Sequence, residues 1–113
     1  MRYTSVMNQN FQFQRMYRSA PSKANAYLVV YYRKRREHEN LIGITVSKKV
    51  GCAVVRNRVR RLIKENYRLM EEKLCRGYQI VIVARGRAAN ADFYQIQKSM
   101  VSLFSSCGLM KEL

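Results

Sequence analysis

From Asn40 through Lys64 this chain has no acidic residue, yet it carries Lys48, Lys49, Arg56, Arg58, Arg60, Arg61 and Lys64. Cations at that density, with arginine outnumbering lysine, suit one chemistry: the guanidinium fork donates two parallel hydrogen bonds to phosphate oxygens. Residues able to cut a phosphodiester are harder to find. The carboxylates are Glu37, Glu39, Glu65, Glu71, Glu72, Asp92 and Glu112, and none forms a convincing pair for two-metal cleavage. Neighbouring residues on a helix point in different directions, which disqualifies Glu71 with Glu72. His38 is the single histidine, so one chain cannot supply a histidine acid–base pair. There is no Gly-rich phosphate loop. Cys52, Cys75 and Cys107 lack the clustered spacing of a zinc site and read as reduced thiols, Cys52 with cationic neighbours able to lower its pKa. The residues therefore point to binding of a polyanion, with no catalytic residue and no metal ligand set. A self-sufficient nuclease is not the reading.

The cations sit on a helix. Spaced at about 100° per residue, Val55, Val59, Leu62, Ile63, Leu69 and Met70 share one arc. Arg60, Arg61, Lys64 and Arg68 fall on the opposite face with Asn57, while Arg56 and Arg58 flank the apolar stripe. Cations in the first turns oppose the helix dipole at roughly 0.3–1 kcal/mol each when exposed. A charged face is often merely solvated. Here the absence of interleaved acids favours a polyanionic partner.

The other elements follow in order. Asn8 or Asn10 is placed to cap a first helix reaching about Arg18, with Phe13, Met16 and Tyr17 on one face. Pro21 ends it. Asn25 to Arg33 reads as a strand with Leu28, Val30 and Tyr32 on a core face. Its other face carries Tyr27, Val29, Tyr31 and Arg33, aromatic rings and a cation on which unpaired bases can stack. Packing under the first helix is an equal claim on Tyr27 and Tyr31, and one cleft satisfies both. Arg33 to Asn40 is a charged loop with at most a supporting role in phosphate contact. Leu41 to Ser47 is a second strand, expected to pair antiparallel with the first. The basic helix runs to about Leu74 and stops near Gly77. Tyr78 to Ala84 is a central strand. Asp92 caps a last helix with Ile96, Met100, Leu103, Phe104 and Cys107 facing the core. The pattern is α-β-β-α-β-α, an α+β sheet with helices mostly on one face.

With 113 residues, 48% of them hydrophobic, the chain closes one modest core, a single domain over 1–113. The formal net charge of +15 implies a phosphate-rich partner. No apolar run is long enough to span a bilayer, and the first ten residues hold no signal-peptide block. A cytoplasmic protein is expected.

Ser47-Lys48-Lys49-Val50-Gly51, then Ala53-Val54-Val55-Arg56-Asn57-Arg58-Val59-Arg60-Arg61-Leu62-Ile63-Lys64-Glu65, closely resembles the signature of the protein subunit of bacterial ribonuclease P. The resemblance extends more weakly over most of the chain. It implies the order α-β-β-β-α-β-α, a four-stranded sheet of the ribosomal protein S5 domain 2-like type, and a left-handed βαβ crossover around the basic helix. Such a crossover runs against the general rule of handedness. It also implies a ribonucleoprotein endonuclease that removes the 5′ leader of precursor tRNA, in which the RNA subunit cleaves with bound Mg²⁺ and the protein assists, one protein per RNA. The implied contacts to catalytic RNA are Lys49, Arg56, Asn57, Arg58, Arg60, Arg61 and Lys64. Those to the leader are Phe13, Tyr17, Tyr31 and Lys48. Two departures stand out. Cys52 occupies a position where the family usually has asparagine, and Tyr3-Thr4-Ser5-Val6-Met7 replaces a common Arg-Leu-Lys run. The competing readings are a ribosomal or general RNA-binding module and a membrane-surface binder. The second is disfavoured because the helix's apolar stripe is needed for the core.

Overall fold

The structure, a computed structural model, describes residues 2–111; Met1, Glu112 and Leu113 lie outside them. The elements are β1 (Thr4–Val6), α1 (Asn10–Ser19), β2 (Ser22–Ala24), β3 (Leu28–Lys34), β4 (Asn40–Thr45), α2 (Ala53–Met70), β5 (Tyr78–Ala84) and α3 (Phe93–Ser106). Short 3-10 turns at Glu71–Lys73 and Gly86–Asn90 follow α2 and β5.

The strands form one sheet in the order β1-β4-β5-β3-β2. β5 has the continuous apolar run, with Ile80, Val81 and Ile82 fully buried, so it takes the centre. It pairs parallel with β4 and antiparallel with β3. The expected antiparallel pairing of β3 with β4 is therefore wrong: β5 lies between them. α2 carries the chain from β4 to β5, forming the parallel crossover unit that the resemblance implies. The missing strand is β2, three exposed residues antiparallel to β3. A fifth strand, β1, pairs parallel with β4, so the sheet has five strands and not four. Neither short strand shows a hydrophobic alternation, because each is an edge with little to bury.

Helices cover both faces, against the expectation of mostly one. The larger core lies under α2 and α3 and contains Leu28, Val30, Ile42, Val59, Ile63, Ile80, Ile82, Met100 and Phe104. On the other face α1 lays Met16 over Val81, with Met7 beside them. Alternation on β3 divides the faces as expected, except that Tyr27, just before the strand, packs with the larger core. α1 is capped by neither Asn8 nor Asn10; Gln9 takes that position without a side-chain hydrogen bond. α3 keeps its expected start, where Asp92 and Gln95 form a reciprocal capping box.

α2 buries Val59, Ile63, Asn66, Tyr67 and Met70. Leu69, placed on the apolar arc, is 54% exposed, and Tyr67 takes the core position instead. Tyr67 is held there by polar bonds. Its hydroxyl lies 2.9 Å from the Thr4 hydroxyl, and the Asn40 amide, which also receives the Tyr78 N–H, is within 3.4 Å. Glu71, only 5% exposed, accepts from the Arg2 and Tyr3 amides and the Thr4 hydroxyl. These bonds fasten β1 to the end of α2. Burial pushes the Glu71 carboxyl up, but the Thr4 hydroxyl and the two amides outweigh it and hold the group below its ordinary value.

A glutamate with a depressed folded pKa stabilises fully above its unfolded pKa, and that stability is lost as pH falls through the folded value. Glu71→Gln should therefore cost about 1–3 kcal/mol at neutral pH, having lost a charged acceptor facing several donors. Urea unfolding of both proteins at neutral and acid pH checks this; the difference should shrink toward the acid end, and a difference independent of pH would contradict it.

Candidate nucleic-acid interface

α2 begins after the turn Ser47–Val50, closed by the Val50 N–H donating to the Ser47 carbonyl at 3.0 Å. Lys48 and Lys49 are exposed on that turn. The first turn of α2 holds no acid. Asn57, Arg61 and Lys64 are exposed, while Arg56, Arg58 and Arg60 are half-buried. Among the described residues the ion pairs are Arg2–Glu72, Arg35–Glu37 and Arg68–Glu65, none of which engages Lys49, Arg56, Arg58, Arg60, Arg61 or Lys64. Arg68 differs from its neighbours on this face: both its Nε and Nη2 donate to Glu65. The remaining cations of this face have no carboxylate partner among the described residues.

Three arginines have individual settings. Arg58 donates to the carbonyls of Ala89 and Ala91, tying α2 to the turn before α3. It is a brace as well as a cation. Arg60 reaches Asn57 Oδ1 at 3.3 Å, so these two side chains orient each other. Arg56 keeps a buried Nε with no acceptor. Cys52 is the N-cap, exposed, and makes no capping bond through its side chain. Its thiol pKa is lowered, chiefly by the Val55 and Val54 backbone amides; the Arg56 charge, a cationic neighbour of the expected kind, contributes least.

The second surface lies across the sheet. Phe13, Tyr17 and Tyr31 are half-buried against α1's side of β3, β4 and β5. Tyr17 and Tyr31 meet edge to face at 5.2 Å between ring centres, and Phe13 lies 6.5 Å from Tyr17. The Tyr17 hydroxyl is 2.6 Å from that of Thr45. Phe13 rests directly on Gly43, where a Cβ would come within 2.5 Å of the ring. A glycine strand position here admits the close approach of an aromatic ring. Lys48 stands beyond the end of β4, on the turn that leads to α2.

The two surfaces connect. A cavity of about 140 Å³ beside β1 is lined by Phe13 and Met7 on one side and by Arg60 and Lys64 on the other. Sequence reasoning could not bring these together, since α1 and α2 approach the sheet from opposite faces. It also passed over Phe11, 63% exposed on α1, whose only signal was an apolar residue off the helix's buried arc. Among the described residues no group of three His, Cys, Asp or Glu side chains is gathered to hold a metal ion. No described helix is long and apolar enough to cross a membrane.

The family model for ribonuclease P matches residues 1–108. A relative from Caldanaerobacter subterraneus subsp. tengcongensis, named ribonuclease P protein component, is 42% identical over 89% of this chain and 87% of its own length. One of the same name from Clostridioides difficile is 46% identical over 88% of this chain and 89% of its own. Among solved structures, the RNase P protein of Staphylococcus aureus superposes with a TM-score of 0.86 at 32% identity, covering 94% of this chain and 97% of that one. The RNase P protein of Thermotoga maritima, at 24% identity, shares the fold with a TM-score of 0.82 over 90% and 96% of the two chains. A basic helix with unpaired arginines, an aromatic sheet face and relatives matched over nearly their whole length agree: the chain belongs to the bacterial ribonuclease P protein family.

Proposed function

We propose that this chain is the non-catalytic protein subunit of the ribonucleoprotein that removes the 5′ leader from precursor tRNA in the cytoplasm. Lys49, Arg56, Asn57, Arg58, Arg60, Arg61 and Lys64 contact the catalytic RNA. Phe13, Tyr17, Tyr31 and Lys48 contact the leader. One observation carries the reading: every α2 cation except Arg68 lacks a carboxylate partner among the described residues, and the aromatic floor lies just across the same sheet edge. The two surfaces let one small protein hold the ribozyme and its substrate together.

The division of labour follows from the residues. Arg61 and Lys64, exposed, offer charge to RNA phosphates, and the buried Arg56 Nε gains an acceptor when a phosphate oxygen arrives. Phe13, Tyr17 and Tyr31 supply ring surface for unpaired bases, a contact worth about 1–3 kcal/mol per base. Mg²⁺ would be bound by the RNA subunit and would supply the cleavage chemistry there; among the described residues no three His, Cys, Asp or Glu side chains gather to hold it. One protein binds each RNA in this reading.

Reconstitution with a bacterial catalytic RNA tests this reading. The protein alone should leave precursor tRNA intact, and adding it to the RNA should restore cleavage at low Mg²⁺. Cleavage by RNA-free protein, or no stimulation of the RNA, would overturn it. Binding of ribosomal RNA with no preference for leader-bearing tRNA would favour a general RNA-binding module instead.

Arg61→Ala should weaken catalytic-RNA binding, lower the salt slope by about 0.7–0.9 and leave the melting temperature unchanged. Arg58→Ala should weaken binding and also destabilise the fold by about 1–3 kcal/mol, because the Ala89 and Ala91 carbonyls lose their donor. Salt-dependent binding with parallel thermal melts separates the two effects. For Tyr31→Ala, the expected loss is selective for precursor over mature tRNA, and equal losses for both would remove the leader assignment.

A further inference from the structure

A second cationic surface lies away from α2. The end of β3 and the loop after it carry Arg33-Lys34-Arg35-Arg36, which meet Gln12 and Arg15 of α1 around an open groove of about 480 Å³. Two of these cations are fixed in place. Arg33 donates to Gln79 Oε1 at 2.8 Å, and Arg35 donates to the Glu39 carbonyl at 2.5 Å while pairing with Glu37 at 3.6 Å. Arg15, Lys34 and Arg36 are exposed, and no ion pair or hydrogen bond engages their side chains among the described residues; the Ser19 hydroxyl donates only to the Arg15 backbone carbonyl. Glu37 is the one carboxylate in the lining. Gln12 adds a buried Oε1 with no hydrogen-bond partner, an acceptor suited to a ribose hydroxyl or a base amine.

The sheet register relates this groove to the aromatic floor. Val29, Val83 and Thr45 form one rung across β3, β5 and β4; Tyr31, Val81 and Gly43 form the next; Arg33, Gln79 and Leu41 form the third. Rungs on one face are spaced by two residues, about 7 Å. Tyr17 is bonded to Thr45 and Phe13 rests on Gly43, so the aromatic floor occupies the first two rungs. The cationic groove begins at the third, on the same face and at the end away from Lys48. A single strand laid along the floor from Lys48 runs its next phosphates into the groove.

We propose that Arg15 and the Arg33–Arg36 segment form a phosphate-binding extension of the aromatic cleft, taking single-stranded leader nucleotides beyond those stacked in it. The proposal rests on the leader-cleft reading and adds a length-dependent component to substrate recognition. Arg33 and Arg35 are positioned by the protein, whereas Lys34, Arg36 and Arg15 remain free to follow the backbone. The strip between α1 and the loop suits one strand with its bases unpaired. Its electrostatic contribution is indifferent to sequence and sensitive to salt.

The test uses the holoenzyme and three substrates: mature tRNA, a precursor whose short leader ends in the cleft, and one whose long leader extends past it. Lys34→Gln with Arg36→Gln is compared with Lys73→Gln with Lys98→Gln, an equal loss of charge at exposed sites elsewhere. The wild type should bind the long leader more tightly than the short one, on the order of ten-fold at low salt. The loop variant should lose that increment and lower the long-leader salt slope by about 1.4, roughly 0.7 for each of two single-strand contacts. Its short-leader affinity and melting temperature should stay put. A retained long-over-short preference, equal losses on both leaders, or the same loss in the control variant would overturn the proposal. If the wild type fails to prefer even the short leader to mature tRNA, the cleft reading itself fails. A short-leader preference with no long-leader increment removes the extension alone.

Discussion

The apolar stripe of α2 is the constraint on which everything else turns. Val59, Ile63 and Tyr67 are fully buried and Met70 nearly so. Removing each from water is worth roughly 1.5–3 kcal/mol as an upper estimate. Arginines opposing the helix dipole cost about 0.3–1 kcal/mol each. Burial wins by a wide margin, so the helix cannot rotate to relieve its charges. Its cationic face is turned outward by the core beneath it.

Around that helix the sheet separates two kinds of surface. β5, apolar on both faces, is held at the centre by β4 on one side and β3 on the other. α2 and α3 then cover one face and α1 the other. At the β1 edge the faces approach, and there Phe13 and Lys64 line one cavity. β1 owes its place to polar bonds as much as to strand pairing, because Glu71 and Tyr67 together bind the chain from Arg2 to Thr4. The Tyr3–Met7 segment thus contributes structure in this chain.

The electrostatics follow the same division. A net charge of +15 leaves little carboxylate for internal pairing. Among the described residues the pairs that form lie at Arg2, Arg35 and Arg68, off the cations assigned to the catalytic RNA. Cys52 shows how local geometry overrides composition. Its thiol is acidified mainly by backbone amides at the start of α2, with the neighbouring Arg56 a smaller influence. Arg58 shows the reverse hazard, a cation whose charge suggests a ligand contact but whose donors are also spent on the protein's own carbonyls.

Local pattern made much of this protein legible. The 3.6-residue repeat of Val55, Val59 and Ile63 sets α2 and its outward charges, the apolar run at Tyr78–Ala84 sets a central strand, and Asp92 with Gln95 sets the start of α3. These are features of period and capping, which depend on near neighbours in the chain. The Ser47–Glu65 motif identified the family for the same reason, being contiguous. Tertiary structure alone decided what is paired with what. Whether β3 meets β4 or β5 depends on which strand has most to bury on both faces. Edge strands such as β1 and β2 form from backbone groups that carry no side-chain signal. The exchange of Leu69 for Tyr67 in the core follows from hydrogen bonds to Thr4 and Asn40, residues distant in the chain. Sequence declares which faces must leave water; the chain's closure upon itself decides which neighbour meets each face.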